Sequence, residues 1–146
     1  MVQYKVKLKE FDLVQNIPDD LPKLSGNITQ LQEVFFNIID NAYDAIKERQ
    51  AELKEQGYRG RIVIEGAQAG NKVKIKVTDN GIGVKDSDQK KLFTPFFTTK
   101  ATAKKGTGLG LYVIEKIISS HNGHLSMHSQ YQSGTKFVIT LPISAD

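Results

Sequence analysis

An α/β two-layer sandwich, with a mixed, mostly antiparallel sheet and helices on one face, is the fold this sequence predicts. Three observations carry it: a long helical repeat of apolar residues near the front of the chain, short alternating segments joined by polar turns, and a second helical segment between strand pairs. Strands joined by short turns must be antiparallel, and two apolar helix stripes need a common sheet face to bury against.

Val2, Tyr4, Val6 and Leu8 alternate with polar residues, and 11–17 holds a second apolar cluster, which reads as one or two strands ending at Pro18. Asp19-Asp20-Leu21-Pro22 is a turn or loop. A helix is expected to start between Ser25 and Asn27, because Asn27 can cap free amides and Gln30 follows three residues on, as in a capping box. Leu31, Val34, Phe35, Ile38, Ala42, Ala45 and Ile46 recur at threes and fours and carry this helix to about Leu53, with Gly57 and Gly60 as its stop. Residues 61–66 and 72–78 alternate and form an antiparallel hairpin around Ala67-Gln68-Ala69-Gly70-Asn71. Asp79-Asn80-Gly81-Ile82-Gly83 breaks the second of these strands. No clear periodicity runs from 85 to 110, and so long a connection inside a compact domain reads as a lid or binding loop. A helix over 111–121 stops at Asn122-Gly123; strands over 124–130 and 135–141 turn across Gln132-Ser133-Gly134, the last ending at Pro142.

The 146 residues, 39% hydrophobic and 25% charged, suit one domain over 1–146, and twelve Gly with four Pro exclude collagen-like and low-complexity classes. The formal charge of +4 would suit an anionic partner. Much of the excess sits in Lys85, Lys90, Lys91, Lys100, Lys104 and Lys105, without interleaved aromatics, so an anion-handling loop fits better than a nucleic-acid surface. Zero cysteines exclude a disulfide framework and thiolate metal sites. No run approaches the roughly 20 apolar residues of a membrane span, and 1–10 lacks the apolar centre of a signal peptide, so a cytoplasmic location without direct membrane contact is expected, either free or as the cytoplasmic part of a longer membrane-tethered protein.

Glu33, Asn37, Asn41 and Asp44 fall on one face of the first helix, opposite its apolar stripe. A solvated face accounts for them, and so does an oxygen-bearing ligand face; Asn is a poor helix-interior residue, and two of them one turn apart need a local reason. An amide oxygen is a suitable hard ligand for Mg²⁺. Asp79 ends a strand and is followed by glycines that allow close backbone approach, which fits either a plain turn or an acceptor for an exocyclic amine such as that of adenine. Gly106-Thr107-Gly108-Leu109-Gly110-Leu111 leads into a helix, aiming free amides at an anion, but it follows a Lys-rich loop rather than a strand and so does not fit a dinucleotide fingerprint. No P-loop pattern occurs. His121, His124 and His128 lack acidic or Cys partners nearby and read as turn and strand residues.

In this order the segments resemble the ATP-binding catalytic domain of sensor histidine kinases, within the superfamily that includes gyrase, Hsp90 and MutL. The run Gln32-Glu33-Val34-Phe35-Phe36-Asn37-Ile38-Ile39-Asp40-Asn41-Ala42-Tyr43-Asp44-Ala45 resembles its N box, and Asp79-Asn80-Gly81-Ile82-Gly83 its first glycine box. Leu92-Phe93-Thr94-Pro95-Phe96-Phe97-Thr98-Thr99-Lys100 is similar to the F box, Gly106 to Leu111 to the second glycine box, and Ser133-Gly134-Thr135 to the last Gly-Thr element.

The resemblance implies a Bergerat-type ATP-binding fold that takes ATP or ADP with Mg²⁺, and an ATP lid at about 84–106. It implies that Asp79 binds the adenine amine, that Asn41 holds Mg²⁺, and that Asn37 contacts the phosphates or reaches the ion through water. Lys100, with Lys104 or Lys105, would contact phosphates, Asn37 and Lys100 being the catalytic pair. Gly106, Gly108 and Gly110 would supply backbone amides, Thr135 would support the adenine side, and Asp44, Gly81, Gly83, Thr107, Leu109 and Leu111 complete the nucleotide set. Gyrase-like ATPases carry a Glu at the place of Asn37 as general base, which Asn cannot replace, so phosphoryl transfer to a protein is favoured over hydrolysis. At Asp44 the chain departs from kinases that carry a Lys there. The phosphoacceptor histidine of the family sits on a separate dimerisation domain, in a setting that none of the three histidines here has. The partners implied are therefore ATP, that dimerisation and phosphoacceptor domain in trans, and a response regulator downstream, the isolated domain being a monomer. A standalone anti-sigma-type serine kinase and a gyrase-like ATPase are the rival readings.

Overall fold

The computed structural model describes residues 2–7, 11–24, 26–91 and 110–143. Its strands are β1 (Val2–Lys7), β2 (Phe11–Ile17), β3 (Gly60–Ala69), β4 (Lys72–Asp79), β5 (His124–Gln130) and β6 (Gly134–Pro142). The described helices are α1 (Ile28–Leu53), the single turn α2 (Asp86–Gln89) and α3 (Gly110–Ser120). The strands make one sheet in the order β1-β2-β3-β4-β6-β5. Neighbours are antiparallel except β2 and β3, which run parallel because α1 carries the chain between them.

The two-layer expectation holds. Ile62 and Ile64 of β3, Val77 of β4 and Phe137, Ile139 and Leu141 of β6 pack against Val34, Ile38, Ala42 and Ile46 of α1 and Ile114, Ile117 and Ile118 of α3. At the start of α1, Asn27 Oδ1 accepts the Gln30 amide at 3.0 Å, as the capping signal implied. Such a cap is worth about 1 kcal/mol, whereas burying each aliphatic side chain of the stripe contributes roughly 1.5–3 kcal/mol. Packing therefore decides where α1 lies, and the cap decides where it begins.

The other end of α1 falls at Leu53 as expected, but its stop differs from expectation. Lys54, not a glycine, takes the left-handed conformation that ends the helix, with φ 48°, while Gly57 lies in the following turn and Gly60 already belongs to β3. The reversal lets Glu55 fold back onto Arg49 of the same helix, Nε to Oε1 at 2.8 Å and Nη2 to Oε2 at 3.1 Å. The β3–β4 hairpin is longer than its sequence pattern, since pairing runs on to Ala69 opposite Lys72 and only Gly70 and Asn71 turn. Alternation of residue type fades there because both faces of the hairpin tip are exposed.

The C-terminus of α3 follows the expected stop. Asn122 adopts φ 59°, its amide bonds Ser119 O at 3.0 Å and the Gly123 amide bonds Ile118 O at 2.9 Å, the paired bonds of a Schellman ending. Next to it, His121 ties the two helices: Nδ1 lies 2.8 Å from Ile117 O, and Nε2 accepts the Asn27 amide at 3.0 Å. Among the described residues no helix is long and apolar enough to cross a membrane.

Candidate functional site

Asp79 is the last residue of β4 and only 6% exposed. Its Oδ1 accepts the Gly81 amide at 2.8 Å, and the carboxylate also accepts the amide of Thr135, its partner across β4 and β6. Burial pushes the acid up to about 7, and the two amides, which favour the charged form, pull against that rise. Thr135 is itself buried, its hydroxyl 2.8 Å from Ser129 Oγ. Ser129 Oγ also accepts the Val84 amide at 2.9 Å, so β5 grips the chain just beyond the glycine turn.

The glycines of that turn answer first to the protein itself. A Cβ on Gly81 would come within 2.6 Å of the Ala45 backbone in α1, where the Ile82 amide bonds Ala45 O at 2.9 Å. Gly83, at φ 73°, backs onto the carbonyl of Gln130. The turn is thus wedged between α1 and the β5–β6 hairpin, and the buried acid is fixed at the junction.

Asp44 immediately precedes Ala45, so the polar face of α1 meets the turn at Asp44 and leads away from it through Asn41 to Asn37, about 10 Å along the helix axis. All three are half-buried, while Glu33 one turn further is exposed. Asn37 has a local reason to be in the helix, because its Nδ2 donates to Glu33 O at 2.9 Å. Its amide oxygen is then the atom it can present to a donor or a hard cation. Among the described residues no three His, Cys, Asp or Glu side chains converge as a metal site. The donors this face offers are amide oxygens and the carboxylate of Asp44, a set suited to an ion that takes its other ligands from phosphates and water.

Gly110 and Leu111 open α3, Leu111 against the core. Lys100, Lys104, Lys105, Gly106, Thr107, Gly108 and Leu109, with the F box, lie outside the described residues. Of the lid stretch at 84–106, the described start is not irregular: α2 forms there, and Gln89 Nε2 donates to Val84 O at 3.0 Å and Ser129 O at 3.1 Å. A single helical turn is too short to leave a periodic signature in the sequence. Three supports went unread at the sequence level: Arg49, Tyr58 and Ser129, none of which falls on a motif.

Residues 26–145 match the model of the family described as histidine kinase-, DNA gyrase B- and HSP90-like ATPases. This chain belongs to that family. Its relatives include the sensor histidine kinase ZraS of Escherichia coli strain K12, 34% identical over 144 residues that cover 99% of this chain and 28% of that protein. The signal transduction histidine-protein kinase AtoS of the same strain is 36% identical over 134 residues, 91% of this chain and 20% of that protein. The chain therefore spans less than a third of the length of these curated relatives. Among solved structures, the nucleotide-free catalytic domain of histidine kinase ThkA aligns with TM-score 0.66 at 28% identity, covering 88% of this chain and 76% of that one. The sandwich is that of histidine kinase catalytic domains, and the chain corresponds to their ATP-binding part.

Proposed function

We propose that this domain binds Mg-ATP and donates the γ-phosphate to a histidine on a separate dimerisation and phosphoacceptor domain, in two-component signalling with a response regulator downstream. The observation that carries this reading is Asp79, a buried carboxylate at a strand end, oriented by the Gly81 and Thr135 amides. A buried acceptor of this kind suits the exocyclic amine of adenine, since it rejects a ligand that offers a carbonyl at the same place.

From Asp79 the polar face of α1 runs along the length a nucleotide would occupy. Asn41 would hold Mg²⁺, with Asn37 contacting phosphates or a bound water and Asp44 close to the ring end. When bound, the ion neutralises charge on the phosphates and helps orient the transferred group. Asn37 has no basic atom to take a proton from water, and its nitrogen is committed to Glu33 O, which favours transfer to a protein acceptor over hydrolysis. Lys100 and Lys105 are assigned to the phosphates, and Gly106, Thr107, Gly108, Leu109, Gly110 and Leu111 to the loop and helix start around them. The whole of 1–146 is one nucleotide-binding domain with its lid at about 84–106, and it acts as a monomer.

The test is to incubate the chain with Mg-ATP labelled on the γ-phosphate, with and without a dimerisation domain from one of the sensor kinase relatives. Acid-labile label on the acceptor histidine, with little free phosphate in its absence, is the expected outcome. Rapid phosphate release without acceptor would replace this reading with an ATPase, and label on serine with an anti-sigma-type kinase.

A further inference from the structure

The peptide joining Asn80 to Gly81 is held at both ends. Its N–H is the donor to Asp79 Oδ1 at 2.8 Å. Its carbonyl oxygen accepts Tyr58 Oη at 2.9 Å and Arg49 Nη1 at 3.0 Å, which fills both lone pairs. Arg49 is itself immobilised: Nε and Nη2 fork the Glu55 carboxylate, the guanidinium lies over the Tyr58 ring at 4.7 Å from its centroid, and Nη1 also approaches Gly81 O at 3.5 Å. A trans peptide points its C=O and N–H in opposite directions. One polarisable unit therefore separates a fixed cation from the buried carboxylate.

We propose that Arg49 is a positioning residue for nucleotide recognition: by gripping the carbonyl end of the Asn80-Gly81 peptide, it orients and polarises the amide that holds the Asp79 carboxylate. This rests on the reading of Asp79 as the adenine acceptor. A cation at the carbonyl draws electron density from the amide nitrogen and makes its N–H a stronger donor. A stronger donor favours the charged carboxylate, the form that accepts from adenine. Burial drives Asp79 the other way, so the amide opposes a rise that would leave the acid protonated at neutral pH. The ionisable groups turned to this peptide are Arg49 from α1 and Tyr58 and Glu55 from the connection after it. β6 presents the Thr135 amide, and β3 the Arg61 amide to Asn80 Oδ1 at 2.6 Å. Tyr58 registers the surroundings directly: burial pushes its hydroxyl up to about 12, with Arg49 lowering it and Asp79 raising it.

Neutralising Arg49 leaves the turn its other ties, Asn80 Nδ2 to Arg59 O at 3.0 Å and the Ile82 amide to Ala45 O at 2.9 Å, so folded variants are expected. The experiment uses the full chain and the variants Arg49→Gln, Arg49→Lys and Tyr58→Phe. The Asp79 carboxyl is titrated by carbon NMR without ligand, and Mg-ADP affinity is measured calorimetrically from pH 6 to 8.5. In Arg49→Gln the Asp79 midpoint should rise by about one pH unit, the size of one lost charge-assisted contact relayed through a peptide. Tyr58→Phe should move it less in the same direction, and Arg49→Lys should fall between wild type and Arg49→Gln. The loss of Mg-ADP affinity should be several-fold larger at pH 7 than at pH 8.5. An unmoved midpoint, with affinity lost equally at every pH, would reduce Arg49 to a scaffold residue and overturn the proposal. Asp79→Ala, run beside these, separates the two readings: undiminished Mg-ADP binding there would remove the adenine assignment, while the ligand-free titration still decides whether Arg49 acts on Asp79.

Discussion

Glu55 and Asp79 both answer to the Asn80-Gly81 turn, and they are held in opposite ways. Glu55 is exposed and forked by Arg49, whose hydrogen bonds and charge keep its carboxyl below the ordinary range. Asp79 is buried on backbone amides, and burial raises it. The ion pair thus sits on the scaffold side of the turn, while the buried acid is held by backbone amides that work against the effect of burial. The contrast is that of an exposed, ion-paired acid and a buried one proposed to recognise the nucleotide, and it has a measurable signature in pH.

Replacing Asp79 should produce the largest change in stability. Its carboxyl sits near 3.8 when unfolded and about 7 when folded, so between those values the folded state binds the proton more tightly and stability falls as pH rises. Asp79→Asn, which keeps the shape without the charge, should therefore be more stable than wild type at pH 8 by roughly 2–4 kcal/mol in urea unfolding, with the gap closing near pH 4. A pH-independent difference would mean the acid is not held against its charge. The smaller effect has the opposite sign. Glu55→Gln should lower the urea midpoint slightly at pH 7, by an amount that shrinks as the pH drops below 4.5, because a depressed acid contributes above its ordinary 4.5 and loses that contribution as pH falls through the folded value. Its solvent exposure means added salt should shrink the effect further. Equal pH responses in the two variants would break the comparison.

The layers were legible in the sequence where a long period or a cap announced them. Val34, Ile38, Ala42 and Ile46 repeat every four residues, and Asn27 caps Gln30 as its position implied. Of the adjacent Phe35 and Phe36, only Phe35 packs on the core while Phe36 is 70% exposed, which the helical stripe also anticipated. What escaped is backbone conformation and pairing that residue type does not announce. Where α1 ends was legible, but not that Lys54 rather than a glycine makes the stop, and the extra ladder of the hairpin tip is backbone pairing without an apolar pattern. At the site, the motifs picked out Asp79 and Thr135, which the fold makes neighbours. Arg49 and Tyr58 were invisible because what they bind is a main-chain carbonyl, and a carbonyl leaves no trace in residue type.

The most direct measurement is calorimetric titration of Mg-ADP and Mg-GDP at pH 8 into the chain and into Asp79→Ala. Mg-ADP binding well above Mg-GDP in the wild type, and weakened by roughly a hundredfold or more in the variant, is the expected result for a buried recognition acid. Equal binding of the two nucleotides, or Mg-ADP affinity untouched by the substitution, would contradict it.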